Sequence, residues 1–200
     1  MNAWQPLLDW WFGATEASAG EVAARRQGLW FGYRAEQDEE ARRLFGEPCA
    51  AALAGGLQDW AEQSQGWLAL ILLLDQLPRM IHRGTPQAFA GDARGRELVR
   101  QGLARGFAAE LAPIQRVFAY LVLEHAEDLA LQDEAVSLFA ALRDQAPASE
   151  QQLFANYLDF AERHRQVIQR FARFPHRNPL LGRASTAAEQ AFLKEPGSRF

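Results

Sequence analysis

Apolar positions recur along most of this chain at intervals of three and four residues, the spacing of one helix face, and strand-like alternation is scarce. The pattern is organised around the stretch 66–84, in which the run 67–74 has no polar position. A helix that is apolar on all sides lies inside a protein, and a run of this length is too short to cross a bilayer. The pattern therefore predicts an all-α fold with a buried central helix.

Glycines, prolines and capping residues divide the rest of the chain into short helices. We expect seven to nine antiparallel helices around one core, in a single domain over 1–200 with a flexible tail at 196–200. Asp92 and Asp128 are predicted N-caps, as is Ser64 for the central helix. Residues 14–28 read as a loop or weak helix. The other predicted helices span 3–12, 38–45 (closing at Gly46), 48–54 (opened by Pro48), 64–74, 93–105, 113–124, 129–145 and 150–173.

Charge begins abruptly where the apolar run ends. Asp75, Arg79 and Arg83 are four residues apart and share one face if the helix continues. Pro78 cannot donate an N–H to the carbonyl of Leu74, so we expect a kink there. Asp75 and Arg79 are either an exposed helical ion pair or part of a site at the end of the buried helix.

Composition narrows the class of protein. The chain of 200 residues is 48% hydrophobic and 11% aromatic, as globular proteins are, and its net charge of −4 argues against nucleic-acid and anionic-membrane partners. The single cysteine, Cys49, excludes an internal disulfide and fits a reducing compartment. No basic residue precedes Arg25, so a signal peptide is not supported and we expect a cytoplasmic location.

The stretch 163–183 contains six arginines and two histidines but no acidic residue. On a helix, His164 falls on a face with Tyr157, Phe160, Ile168 and Phe171 that we expect to pack in the core, where a hydrogen-bonded structural role is the simplest one for it. The arginines gather on another face. They either form structural ion pairs within the fold or bind an anionic ligand. The second alternative is chemically reasonable because the planar guanidinium group can donate two parallel hydrogen bonds to a carboxylate or a phosphate.

Several short motifs follow one another along the chain. Framed by Trp10-Trp11-Phe12-Gly13 and Phe192-Leu193, they are DQLPR at 75–79, RGTP at 83–86, HAEDL at 125–129 with Gln132, HR at 164–165, RFPHRN at 173–178 and LGR at 181–183. Together they resemble an uncharacterised bacterial family, domain-of-unknown-function family nine hundred and twenty-four. The resemblance implies an all-helical fold related to tetratricopeptide repeats (TPR-like) and no established activity. This chain has Leu77, Met80 and Ala172 where Phe, Asn and Gly are common in that family.

Four functions remain open at this point. The first is a binding module whose cleft takes an anionic small molecule or a peptide carboxylate, with ligand-binding residues Asp75, Arg79, Arg83, His125, Arg173, His176 and Arg177.

The second is an enzyme in which Asp75 orients His125 or His176 as general base. A metal site from His125, Glu127, Asp128 and His176 is weaker, because no tight ligand spacing such as HExxH is present. A scaffold that binds a protein partner is the last.

Nucleotide-binding glycine motifs and nucleophile elbows are missing, so we expect no cofactor, and the sequence leaves the oligomeric state open.

Overall fold

The computed structural model describes residues 2–13 and 17–198. Within these ranges the chain forms eleven α-helices and three 3₁₀ helices and no strand, which confirms the all-α prediction. Of the predicted tail at 196–200, residues 199 and 200 lie outside the described ranges. The α-helices are α1 Gln5–Phe12, α2 Ala19–Trp30, α3 Ala35–Leu53, α4 Ser64–Leu74, α5 Gln76–Ile81, α6 Asp92–Ala104, α7 Phe107–Glu110, α8 Pro113–Glu124, α9 Leu129–Gln145, α10 Gln151–Phe171 and α11 Ala187–Phe192.

Helix α4 is the centre of the core, as its sequence predicts. Every side chain from Trp67 to Leu74 is at most 1% exposed. Helices α1, α3, α6 and α8 pack around it. Each large apolar side chain buried in this way contributes about 1.5–3 kcal/mol to folding, so α4 fixes the positions of its neighbours. No helix in the described ranges has both the length and the apolar character that a membrane span requires.

Helix α3 corrects the predicted break at Gly46 and Pro48. One helix runs continuously from Ala35 to Leu53 with Pro48 inside it. The reason is tertiary, because a buried stripe spaced four, four and three residues apart continues through the proline and packs on α4 and α5. The stripe consists of Ala41, Phe45, Cys49 and Ala52.

Helix α2 corrects the predicted loop or weak helix over 14–28, of which residues 14–16 lie outside the described ranges. The helix begins after Ser18, whose hydroxyl accepts a hydrogen bond from the Glu21 N–H at 3.3 Å. The Glu21 carboxylate in turn accepts one from the Ser18 N–H at 3.0 Å. This capping box explains why a segment rich in small residues is helical.

Helices α9 and α10 form the most extensive helix pair of the fold. Asp128 caps α9 as predicted, accepting a hydrogen bond from the Leu131 N–H at 3.1 Å. The buried face of α10 is rotated from the predicted one, since Phe160 is 51% exposed. The buried positions follow the spacing of three and four with His164 among them: Phe154, Leu158, Ala161, His164, Val167 and Ile168.

The predicted kink separates α4 from α5 at Asp75, whose backbone has φ −112° and ψ −60°. Gly91 packs directly on the Leu74 carbonyl there, and a Cβ at position 91 would lie 2.1 Å from that oxygen. Helix α6 therefore starts against the kink. Asp92 and Ser64 are the first residues of their helices and neither forms a side-chain cap, which corrects both predictions.

Candidate functional site

A cleft of about 310 Å³ lies where the first turns of α6, the connection between α8 and α9 and the segment after α10 meet. Its volume is at the lower end of the range of small-molecule sites. Four of its residues are apolar and six are polar or charged. They are Phe89, Ala126, Leu131 and Leu181, and Asp92, Arg96, His125, Glu127, Asp128 and Arg177.

His125 lines the cleft and is paired with a buried aspartate behind it. Asp75, at the kink, is 1% exposed. His125 follows directly after α8, and its Nδ1 lies 2.8 Å from Oδ1 of Asp75. Since an ionised carboxylate only accepts, Nδ1 carries the proton. Nε2 of His125 forms no hydrogen bond with any residue in the described ranges.

Charged neighbours set the protonation of this pair. Burial by itself would raise the pKa of the Asp75 carboxyl, but Arg79, 3.0 Å away, and His125 outweigh it and hold that pKa well below its ordinary value. Burial lowers the pKa of His125, and Arg79 opposes protonation further, although Asp75 favours it. Asp75 is therefore ionised and His125 neutral at pH 7, with a lone pair on Nε2.

Arg79 connects the Asp75–His125 pair to helix α6 through hydrogen bonds. Its Nη1 donates to the Asp75 carbonyl at 2.8 Å, and its fork binds the Asp92 carboxylate at 3.0 and 3.2 Å. Asp75 and Arg79 therefore form a buried pair and not the exposed helical pair that sequence spacing allowed. Asp92 is used as the partner of Arg79, which explains why it does not cap α6.

Arg177 lines the cleft beside the backbone of His125. Its guanidinium lies between the rings of Phe89 and Phe174, 4.9 and 4.4 Å from their centroids, and it is 6% exposed. Nη1 donates to the His125 carbonyl at 3.0 Å, and the nearest carboxylate oxygen among the described residues, on Asp92, is 3.6 Å away. The buried Nε–H has no acceptor among the described residues. Burial lowers the pKa of Arg177 to about 10, with Arg79 acting in the same direction.

Arg96 lines the cleft and is a site residue that sequence reasoning missed. It forms no ion pair or hydrogen bond within the described part of the chain. The signal was present, because Arg96 follows Asp92 by four residues and the two share one face of α6. Phe89, Leu131 and Leu181 gave no comparable signal.

Arg83 and Arg173 do not line the cleft. Arg83 binds Asp38 through two hydrogen bonds of 2.6 and 2.8 Å and lies over the Tyr33 ring. Arg173 forms a fork of 2.6 and 2.9 Å with Glu189. Both form structural ion pairs that attach distant segments. Of the predicted ligand-binding residues, His125 and Arg177 line the cleft, whereas Asp75, Arg79 and His176 do not.

Two other histidines, His164 and His176, do not line the cleft. Nδ1 of His164 is 2.9 Å from Oε1 of Glu124 and 2.8 Å from the Phe160 carbonyl, which confirms the hydrogen-bonded core role. The His176 ring lies against the Phe174 ring at an angle of 39°, with centroids 5.7 Å apart. Burial and the adjacent Arg177 lower the pKa of His176 to about 3. Asp75 thus pairs with His125 and forms no hydrogen bond with His176 in the described part of the chain.

Glu127 is held as a structural residue at the rim. It accepts two hydrogen bonds from Arg183, at 2.6 and 2.9 Å, and one from the Phe174 N–H at 2.8 Å. In the described ranges, no three His, Cys, Asp or Glu side chains are arranged to hold a metal ion, so the alternative of a metal site with His125, Asp128 and His176 gains no support.

Comparison with known proteins places the chain among proteins without an assigned function. No curated protein matches it. A solved structure of a protein of unknown function from Agrobacterium tumefaciens is similar, with 34% identity and a TM-score of 0.73 over 88% of this chain and 99% of that one. Residues 7–197 match the model of the family described as bacterial proteins of unknown function, DUF924. The chain therefore belongs to the DUF924 family.

Proposed function

We propose that the cleft binds a small anionic molecule, whose anionic group lies between Arg177 and Arg96. The observation that carries this proposal is the buried Arg177 guanidinium, which has an N–H without an acceptor and no carboxylate within 3.5 Å among the described residues. Leaving a buried donor unmatched costs about 1–3 kcal/mol, and more for a charged group. An anion in the cleft would remove part of that cost.

Two further features support an anion at this position. Arg96 has no partner within the described residues and lines the same cleft. Helix α6, thirteen residues long, begins at the cleft with Asp92, so its positive dipole end adds to the local potential. The cleft volume fits a small molecule or a single chain terminus. A peptide would therefore enter by its terminal carboxylate alone.

Calorimetric titration with inorganic phosphate, acetate, benzoate and a tripeptide tests the proposal. We expect at least one anion to bind wild-type protein and to lose about 10-fold or more in affinity in Arg96→Gln, since a charge-assisted hydrogen bond is worth about 1.5–3 kcal/mol. Arg165→Gln is the matched control, because it also removes one arginine charge, but Arg165 pairs with Asp133 and does not line the cleft. Binding that survives in Arg96→Gln and Arg177→Gln would contradict the proposal.

Ligands that bind will also raise the melting temperature, because ligand at a hundred times its dissociation constant adds about 2.7 kcal/mol of stability. The absence of a shift with every anion would favour the scaffold alternative, in which the arginines only hold segments together. The free, buried Cys49 fits the reducing cytoplasm, where we propose the protein acts.

An enzyme is the second candidate function, and the hydrogen bond from His125 to Asp75 favours it. A neutral histidine held by a buried carboxylate, with its second ring nitrogen unused, is the arrangement of a general base. No serine or cysteine lines the cleft, so such a base would act on water or on the ligand itself. Ligands identified by titration can be followed by NMR for conversion, which should disappear in His125→Asn.

A further inference from the structure

The unused ring nitrogen of His125 places a hydrogen-bond acceptor at the cleft beside the arginines. Asp75 holds the Nδ1 proton at 2.8 Å, which leaves the lone pair of a neutral imidazole on Nε2. Nε2 forms no hydrogen bond with the described residues, and it is not among their buried unmatched atoms, so it remains accessible from the cleft that His125 lines. Arg96 and Arg177 offer unmatched donors at the same cleft, and the Oδ2 of Asp128, at an exposed position of the lining, is a further acceptor.

Acceptor and donors are close to one another. Nη1 of Arg177 lies 3.0 Å from the backbone carbonyl oxygen of His125, and both residues line the same cleft of about 310 Å³. One small ligand can therefore carry both an anionic group for Arg177 and a group that donates to Nε2. Phe89, Leu131 and Leu181 offer apolar surface to the rest of the molecule.

We infer that the ligand of this cleft is a small hydroxy acid, a carboxylate with a hydroxyl group within a few bonds and a short apolar body. The carboxylate binds Arg177 and Arg96, the hydroxyl donates its proton to Nε2 of His125, and the apolar body contacts Phe89 and the two leucines. This inference rests on the proposed anion site and adds the chemical class of its ligand.

The test is titration with pairs of acids that differ by one hydroxyl: glycolate with acetate, each enantiomer of mandelate with phenylacetate, and meta-hydroxybenzoate with benzoate. We expect at least one hydroxy acid to bind about 3- to 10-fold more tightly than its parent, the net effect of one neutral hydrogen bond. The pairs cover different spacings of hydroxyl and carboxylate while charge and apolar body stay matched.

His125→Asn is the decisive variant. The asparagine amide branches from Cγ as Nδ1 does, so it can still donate to Asp75, but it has no group at the position of Nε2. We expect the ratio of the two affinities, hydroxy acid over parent acid, to fall to about one in this variant, whatever change the substitution causes in the binding of both acids.

The outcomes separate the two proposals. Parent acids that bind while no hydroxy acid gains affinity would overturn the inference and leave the anion site standing. A preference that persists in His125→Asn would overturn it as well, because another group would then accept the hydroxyl. Failure of every carboxylate to bind, with phosphate also inactive, would overturn the anion site and the inference with it.

Discussion

Replacing Gly91 with alanine tests how the kink and α6 build the site. The added Cβ would lie 2.1 Å from the Leu74 carbonyl oxygen, 2.8 Å from its carbon and 2.9 Å from its Cα. An ordinary contact between carbon and a carbonyl oxygen is about 3.3 Å or longer. These three atoms belong to the backbone of a buried helix end and cannot rotate away. The start of α6 must therefore move by about 1 Å.

The expected cost follows from overpacking. Forcing a methyl group into a packed backbone contact destabilises a protein by about 1–3 kcal/mol, and occasionally by more. The shift of α6 also weakens the hydrogen bond from Arg79 to Asp92, which lowers the stability further. The entropy cost of folding is about 0.5–1 kcal/mol smaller for alanine than for glycine, and this difference offsets part of the lost stability. We expect the free energy of unfolding to fall by about 2–3 kcal/mol.

Urea unfolding followed by fluorescence of the six tryptophans measures this change. Gly20→Ala is the control, because Gly20 lies inside α2 and a Cβ there meets no atom within 4 Å. The control should be unchanged or slightly more stable. A Gly91→Ala variant within about 0.5 kcal/mol of wild type would refute the packing of α6 on the kink.

Three further changes test other parts of the fold. Ala172 ends α10 in the left-handed region with φ 57°, so Ala172→Gly should raise the free energy of unfolding by about 0.5–1 kcal/mol in urea titrations. His176 stays neutral in the fold down to about pH 3, whereas the unfolded imidazole takes a proton near pH 6.5. The free energy of unfolding should therefore decrease as the pH is lowered from about 6.5 to about 3, by up to about 1.4 kcal/mol per pH unit. In His176→Asn it should decrease less steeply. The Trp67 indole N–H donates to the buried Leu98 carbonyl at 2.7 Å, so Trp67→Phe should lower the urea midpoint by the equivalent of about 2–4 kcal/mol.

Much of the fold could be read from local patterns. The apolar run 67–74 requires burial on all sides, the missing N–H of Pro78 imposes the kink after Leu74, and Asp128 caps the helix that follows it. Such features depend on residues within one or two turns of each other. Where the local signals failed, at Gly46 and Pro48, the buried stripe of α3 gained more from packing on α4 and α5 than the helix lost at the proline.

The candidate site was predictable in its residue types and only partly in its membership. The sequence by itself determined that carboxylate, arginine and histidine follow the buried helix and that the stretch 163–183 has no acid of its own. Only the tertiary structure decided which arginines are used up in ion pairs and which face the cleft. Asp75 and His125 are 50 residues apart, and Arg173 meets a glutamate 16 residues further along. Charged side chains find their partners through space, so the core that brings α4, α6 and α8 together also determines that Arg177 and Arg96 line the cleft.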